Sequence, residues 1–177
     1  EWQKAQARAE AEAAGDAILA AVATDDTAER IAALQALDLP GDQADLIVAF
    51  LTASHQVIDG QSAEAAASLE RVANAGGETP EIYRQIALFK SIIAQGAGMP
   101  AAERRTALEA LAAPGAPLSL LASEQLALLD LEEGNTDAAI ERFQSIVADA
   151  AVTPGLRQRA SQLIVALGGE PETIPGQ

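Results

Sequence analysis

Between Gly134 and Val147 the apolar positions fall at Ala139, Ile140, Phe143, Ile146 and Val147. The spacing i, i+1, i+4, i+7, i+8 is one face of an α-helix. Gly134 and Asn135 interrupt whatever precedes them, and Asn135 has a side chain suited to capping the new helix. Thr153-Pro154 reads as the next start, with threonine as cap and proline at the first helical position. The same pattern occurs earlier. Gly60, Ala65, Leu69, Val72 and Thr79-Pro80 each lie 74 residues before Gly134, Ala139, Phe143, Ile146 and Thr153-Pro154. Half that step reaches Gly96-Ala97-Gly98, the polar turn Thr24-Asp25-Asp26 and Pro171. The spacing predicts a repeat of about 37 residues, two helices per unit, in which each unit buries its apolar face against its neighbours.

Taken in order, the chain predicts a long helix from Glu1 to about Ala23, polar all round in its first half. Asp25-Asp26-Thr27 turns and caps a second helix with Ile31, Leu34 and Leu37, ending before Pro40-Gly41. Asp42 is placed to cap a third, whose stripe is Leu46, Ile47, Phe50, Leu51, Val57 and Ile58. The fourth uses Ala65, Ala66, Leu69, Val72 and Ala73 and stops at Gly76-Gly77; the fifth shows Ile82, Ile86, Phe89 and Ile93. Pro100 opens a sixth with Leu108 and Leu111, and a leucine-dense seventh runs from Leu118 to Glu133. After the Gly134 helix, a ninth with Leu156, Ala160, Leu163, Ile164 and Leu167 ends at Gly168-Gly169. The expectation is a single all-α domain over residues 1–169: about four hairpins, a C-terminal capping helix, and a frayed tail over 170–177.

Composition narrows the function. Hydrophobic residues make up 49% of the 177 but aromatics only 3%, so the apolar content is mostly alanine and leucine. That favours close helix packing over a β-sandwich. A net charge of −15 makes nucleic acid and anionic lipid poor partners. The absence of cysteine excludes disulfides, thiol nucleophiles and thiolate metal sites. No apolar run is long enough to span a bilayer. Yet the chain opens on Glu1 and its single methionine is Met99, so a segment upstream of Glu1 is expected: a signal, an anchor or another domain. Trp2 with Lys4 and Arg8 suits a position just outside a membrane, or an ordinary surface contact.

Catalytic chemistry finds little support. His55 and Asp59 are an i, i+4 pair, but two ligands without a third make no catalytic metal site. Asp25-Asp26 read as turn and cap residues, and Glu132-Glu133 as a solvated helix end, since sequence neighbours on a helix do not face each other. Arg104-Arg105 reads as a surface pair, and the glycines sit at helix ends rather than in a phosphate loop. The reading is non-enzymatic, with no metal and no cofactor.

The segment from Gly134 to Val147 resembles the second helix of a tetratricopeptide repeat through Gly134, Asp137, Ala139, Phe143 and Pro154, matched less fully by Gly60, Ala65, Leu69 and Pro80. It departs from that family at Ser62 and Thr136, where an aromatic is usual, and in a unit about three residues longer. The resemblance implies a right-handed solenoid whose first helices line a concave face. Carried onto this chain, a partner-binding groove would use Ile47, Phe50, Ser54 and Val57, and Leu121, Glu124, Leu128 and Leu131. These residues either form an open apolar groove for a partner segment or are buried by tight curvature. Over its length the chain is similar to the periplasmic domain of the YfgM-like group, an ancillary subunit of the Sec translocon. The features are the opening Glu1-Trp2-Gln3-Lys4-Ala5, the Ala/Glu-rich run to Gly15-Asp16-Ala17, and the hairpins at Gly60 and Gly134. That resemblance implies an inner-membrane protein facing the periplasm, anchored by a helix upstream of Glu1. It also implies a scaffold contacting translocon subunits, a periplasmic chaperone and secreted clients. The alternatives are a soluble or lipid-anchored adaptor in envelope assembly, and a helical accessory domain of an enzyme lying outside this stretch.

Overall fold

A computed structural model describes residues 1–76 and 79–171. Among them are nine α-helices and no strand: α1 Trp2–Val22, α2 Thr27–Gln35, α3 Asp42–Ile58, α4 Ser62–Ala73, α5 Glu81–Gln95, α6 Ala101–Leu111, α7 Ser119–Glu132, α8 Thr136–Ala148 and α9 Pro154–Ala166. Gly77, half of the predicted stop after α4, and most of the predicted tail lie outside the described residues.

Side-chain caps set two of the helix starts among the described residues. The Asp26 carboxylate accepts the Glu29 N–H at 2.9 Å to cap α2, and Thr153 accepts the Leu156 N–H at 3.4 Å ahead of Pro154 to cap α9. Two predicted caps are corrected. α3 starts from Gly41 at φ 98°, with Asp42 inside its first turn, and Asn135 makes no side-chain cap to α8. Asp42 instead places its charge beside the exposed N–H groups of the first turn, where the helix dipole favours it. Asn135 gives its backbone N–H to the Asp130 carbonyl at 2.8 Å.

That last bond belongs to a motif that closes α9 at Gly168-Gly169 as well and recurs at two turns 74 residues apart. The Gly134 N–H donates to the Leu131 carbonyl at 3.0 Å, and the Gly60 N–H to the Val57 carbonyl at 3.1 Å. The Gln61 N–H donates to the Gln56 carbonyl at 2.7 Å, as Asn135 does to Asp130. Both are Schellman closures, which need a left-handed residue after the helix. Gly60 at φ 77° and Gly134 at φ 80° supply it. The following residues also agree: Gln61 at φ −87°, ψ 61° and Asn135 at φ −89°, ψ 61°. The 74-residue offset extends beyond the turn. Ala65 and Ala139 are wholly buried, and Leu69 and Phe143 fill the two cores beside them.

The packing divides into two compact units, Glu1–Gly96 and Ala97–Gln177. In each, the extensive packing is between helices consecutive in sequence. The first core gathers Ala53, Leu69, Val72 and Ala87 with Leu46 and Phe50. The second gathers Phe143, Ile146, Val152, Leu156 and Ile164 with Leu128 and Leu131.

Two predicted stripes face differently from expectation. On α3 the buried residues are Thr52, Ala53 and Gln56, while Ile47, Val57 and Ile58 are exposed. On α5 they are Ala87, Ser91 and Ile92, while Ile82 and Ile93 are exposed. Small and polar residues turn inward because Ala65 and Ala87 bring their helices into close contact. Hydrogen bonds satisfy the polar groups: Ser68 Oγ donates to Gln56 Oε1 at 3.1 Å, and Ser91 Oγ to the Glu70 carboxylate at 3.4 Å. Leu37 lies just past α2 rather than on its stripe.

Candidate interaction surface

The exposed large apolar side chains of the described residues fall on alternate helices. They are Trp2 and Leu19 on α1; Ile47, Val57 and Ile58 on α3; Ile82, Tyr83 and Ile93 on α5; Leu121 on α7; and Val165 on α9. None lies on α2, α4, α6 or α8. Of these, α1, α3, α5 and α7 are the first members of the predicted hairpins, and α9 is the predicted capping helix.

Their placement keeps a register. Val57, Ile93, Leu131 and Val165 each stand three residues before a left-handed glycine, at Gly60, Gly96, Gly134 and Gly168. Val57 and Ile93 are each 48% exposed and Val165 60%, whereas the residues one position earlier, Gln56, Ile92, Asp130 and Ile164, are all buried. One turn of helix thus puts an apolar side chain outward and its predecessor inward at three places, whereas Leu131 at the fourth packs on a core. Further up three of these helices, Ile47, Tyr83 and Leu121 share a second exposed position, thirteen residues before their glycines.

Of the groove residues expected from the sequence, Ile47, Ser54 and Val57 are exposed and Phe50 is half-buried against the first core. In the second unit only Leu121 is exposed. Leu128 and Leu131 pack on the Phe143 core. Glu124 is not a free groove residue: its side chain is 9% exposed and bound in a fork by Arg159, with Nε–Oε1 at 2.9 Å and Nη2–Oε2 at 3.0 Å. That fork raises the Arg159 guanidinium above its ordinary value, the hydrogen bond to Glu124 being the main cause. The α3 stripe is therefore the more open of the two predicted sets.

The paired charges of the second unit are structural. Arg105 Nη2 donates to Asp130 Oδ1 and to Glu133 Oε2, both at 2.8 Å, and Arg142 Nε donates to Asp130 Oδ2 at 2.7 Å. Arg104 forks onto Glu132 at 3.2 and 2.6 Å. Arg104-Arg105 and Glu132-Glu133, read from sequence as surface groups, instead tie α6 to α7. Their partners are 25 to 28 residues away, so no local pattern announces them. Asp130, 5% exposed, joins α6, α7 and α8. Burial pushes its carboxyl up, but hydrogen bonds and charge from Arg105 and Arg142 outweigh that and hold it below its ordinary value. His55 is half-buried, and among the described residues no three His, Cys, Asp or Glu converge to hold a metal.

Compared with protein-family models, curated proteins and solved structures, the chain matches none.

Proposed function

We propose that the chain is a tetratricopeptide-like, right-handed helical solenoid acting as a non-enzymatic protein–protein interaction scaffold. The observation that carries the reading is the confinement of exposed large apolar side chains, among the described residues, to the first helices of the hairpins and the capping helix, with Val57, Ile93 and Val165 in glycine-set register. Such side chains cost solubility unless a partner covers them, and an array of helix pairs offers them along one side. The favoured partner is an extended or helical protein segment. By its sequence resemblance to the YfgM-like group, the scaffold is the periplasmic domain of a single-span inner-membrane protein. Its partners are then Sec translocon subunits, a periplasmic chaperone and secreted clients. No helix of the described residues is long and apolar enough to cross a membrane, so in this reading the anchor is a helix upstream of Glu1.

Site-specific photo-crosslinking tests it. A benzophenone side chain at Val57 or Ile93 in the membrane-anchored protein should capture translocon or chaperone subunits, while one at Glu64, exposed on α4, should not. Equal capture at all three positions, or capture at none, overturns the scaffold reading. Capture from Val57 and Ile93 of proteins unrelated to secretion overturns the translocon assignment alone.

A further inference from the structure

The face of α3 opposite the exposed stripe opens into a groove of about 640 Å³ within the first unit. Residues 45, 49 and 52 lie half a turn around the helix from residues 47, 54 and 58. Leu37, just past α2, and Leu46 and Ala49 of α3, all half-buried, form apolar walls, with Val72 of α4 buried behind them. The floor is polar and small: Thr52 and Ser68, each 3% exposed. At the mouth stand Asp42 and Asp45, both exposed, and among the described residues neither makes an ion pair. Arg71, also at the mouth, leans onto Ser68 Oγ at 3.4 Å.

The second unit shows what this place holds when it is filled. At the 74-residue offset Thr52 becomes Leu126, Ser68 becomes Arg142, Gln56 becomes Asp130 and Ile31 becomes Arg105. There the larger Leu126 is 1% exposed, and two guanidinium groups meet Asp130 between α6, α7 and α8. The first unit has the matching α3–α4 pair, closed by Gly60 as α7 is by Gly134, and the matching buried alanine, Ala65 for Ala139. It lacks the leucine and both arginines at the matching positions, its own Arg71 being held by Ser68, and it carries at the opening two carboxylates with no ion pair among the described residues.

We infer that this groove binds a short segment of a partner protein in which a lysine or arginine is flanked by apolar side chains. The apolar groups would lie on Leu37, Leu46 and Ala49. The cation would reach Asp42 and Asp45, supplying from outside the kind of charge that Arg142 supplies from within the second unit. The volume is in the range of sites that enclose short ligands. Residues 1–96 carry fifteen acidic against six basic side chains, which draws such a segment in. The groove and the exposed stripe lie on different faces of α3, so this inference stands or falls apart from the scaffold reading.

The test is fluorescence anisotropy with the whole chain and a labelled peptide alternating leucine and arginine, against one alternating serine and arginine. The first should bind and the second should bind about tenfold more weakly or less. Thr52→Leu, which copies Leu126 and leaves every charge in place, should weaken binding of the first peptide about tenfold with no loss of helicity. Asp42→Asn with Asp45→Asn should weaken it similarly, and more than Glu103→Gln with Glu109→Gln, which removes the same charge from the exposed surface of α6. The two aspartate substitutions are at exposed positions and leave the fold intact, so the test holds even if Thr52→Leu proves unstable. Binding unchanged by the aspartate pair, or weakened equally by both pairs, shows only long-range attraction and overturns the proposal. So does a properly folded Thr52→Leu protein that binds as the parent does.

Discussion

Replacing Asp130 by alanine removes the one group, among the described residues, that joins α6, α7 and α8 through charge. Its side chain is 5% exposed and receives Arg105 at 2.8 Å and Arg142 at 2.7 Å. Deleting one member of a buried ion pair costs about 3–5 kcal/mol, because the remaining charge keeps its desolvation penalty. Here the lower figure applies. Arg142 is 38% exposed and can turn to water, and Arg105 keeps Glu133 at 2.8 Å. The expected loss is about 3 kcal/mol. The equivalent residue of the first unit, Gln56, holds only a neutral hydrogen bond to Ser68, so Gln56→Ala should cost about 1–2 kcal/mol. Urea denaturation followed by far-ultraviolet circular dichroism measures both. The double variant Asp130→Gln/Arg142→Ser, which copies the first unit's pair, should recover more than half of the loss. The same ion pairs make stability depend on pH. Asp130 has a folded pKa below its unfolded one, so its contribution is complete above the ordinary carboxylate range, near pH 4, and drains away as pH falls further through the depressed folded value. Glu132, lowered chiefly by its hydrogen bond from Arg104, acts in the same direction. Asp130→Ala should therefore flatten the acid limb of the stability profile. If it costs no more than Gln56→Ala and leaves the acid limb as steep, the buried charge is not what holds these three helices.

Other perturbations separate backbone, core and surface. Phe143, fully buried in the second core, should lose about 3–5 kcal/mol on replacement by alanine, read from the same urea titration. Gly134→Ala should cost roughly 1 kcal/mol from backbone strain alone, since φ is 80° and a methyl group there would meet nothing within 4 Å. Ile58→Ser and Ile93→Ser, at side chains 70% and 48% exposed, should change stability by no more than about 0.5 kcal/mol while lowering the binding of a hydrophobic dye. Unchanged dye binding in the double variant would mean that these side chains form no accessible apolar surface.

The positions and lengths of the helices were legible in the chain because their signals are local. Asp26 and Thr153 cap, Pro154 opens, Gly60 and Gly134 close, and apolar spacing of 3.6 residues marks what lies between. The 74-residue correspondence was legible for the same reason and extends to matching backbone dihedrals at the two turns. Which face of each helix is covered was not. Periodicity says that Ile47, Val57 and Ile58 share a side of α3, but only the packing of α2 and α4 decides that Thr52 and Gln56 go inward instead. Alanine is the physical reason: a helix that meets its neighbour at Ala53 and Ala65 needs no large side chain at the contact, so its large ones are left outside. The charge pairs were hidden for a different reason. Arg105, Asp130 and Arg142 come from three helices, and a salt bridge across such separations leaves no trace in spacing. Sequence alone determined where the chain turns and that it repeats. Tertiary packing decided what the repeats bury, and so where an apolar stripe and an acidic-mouthed groove face outward.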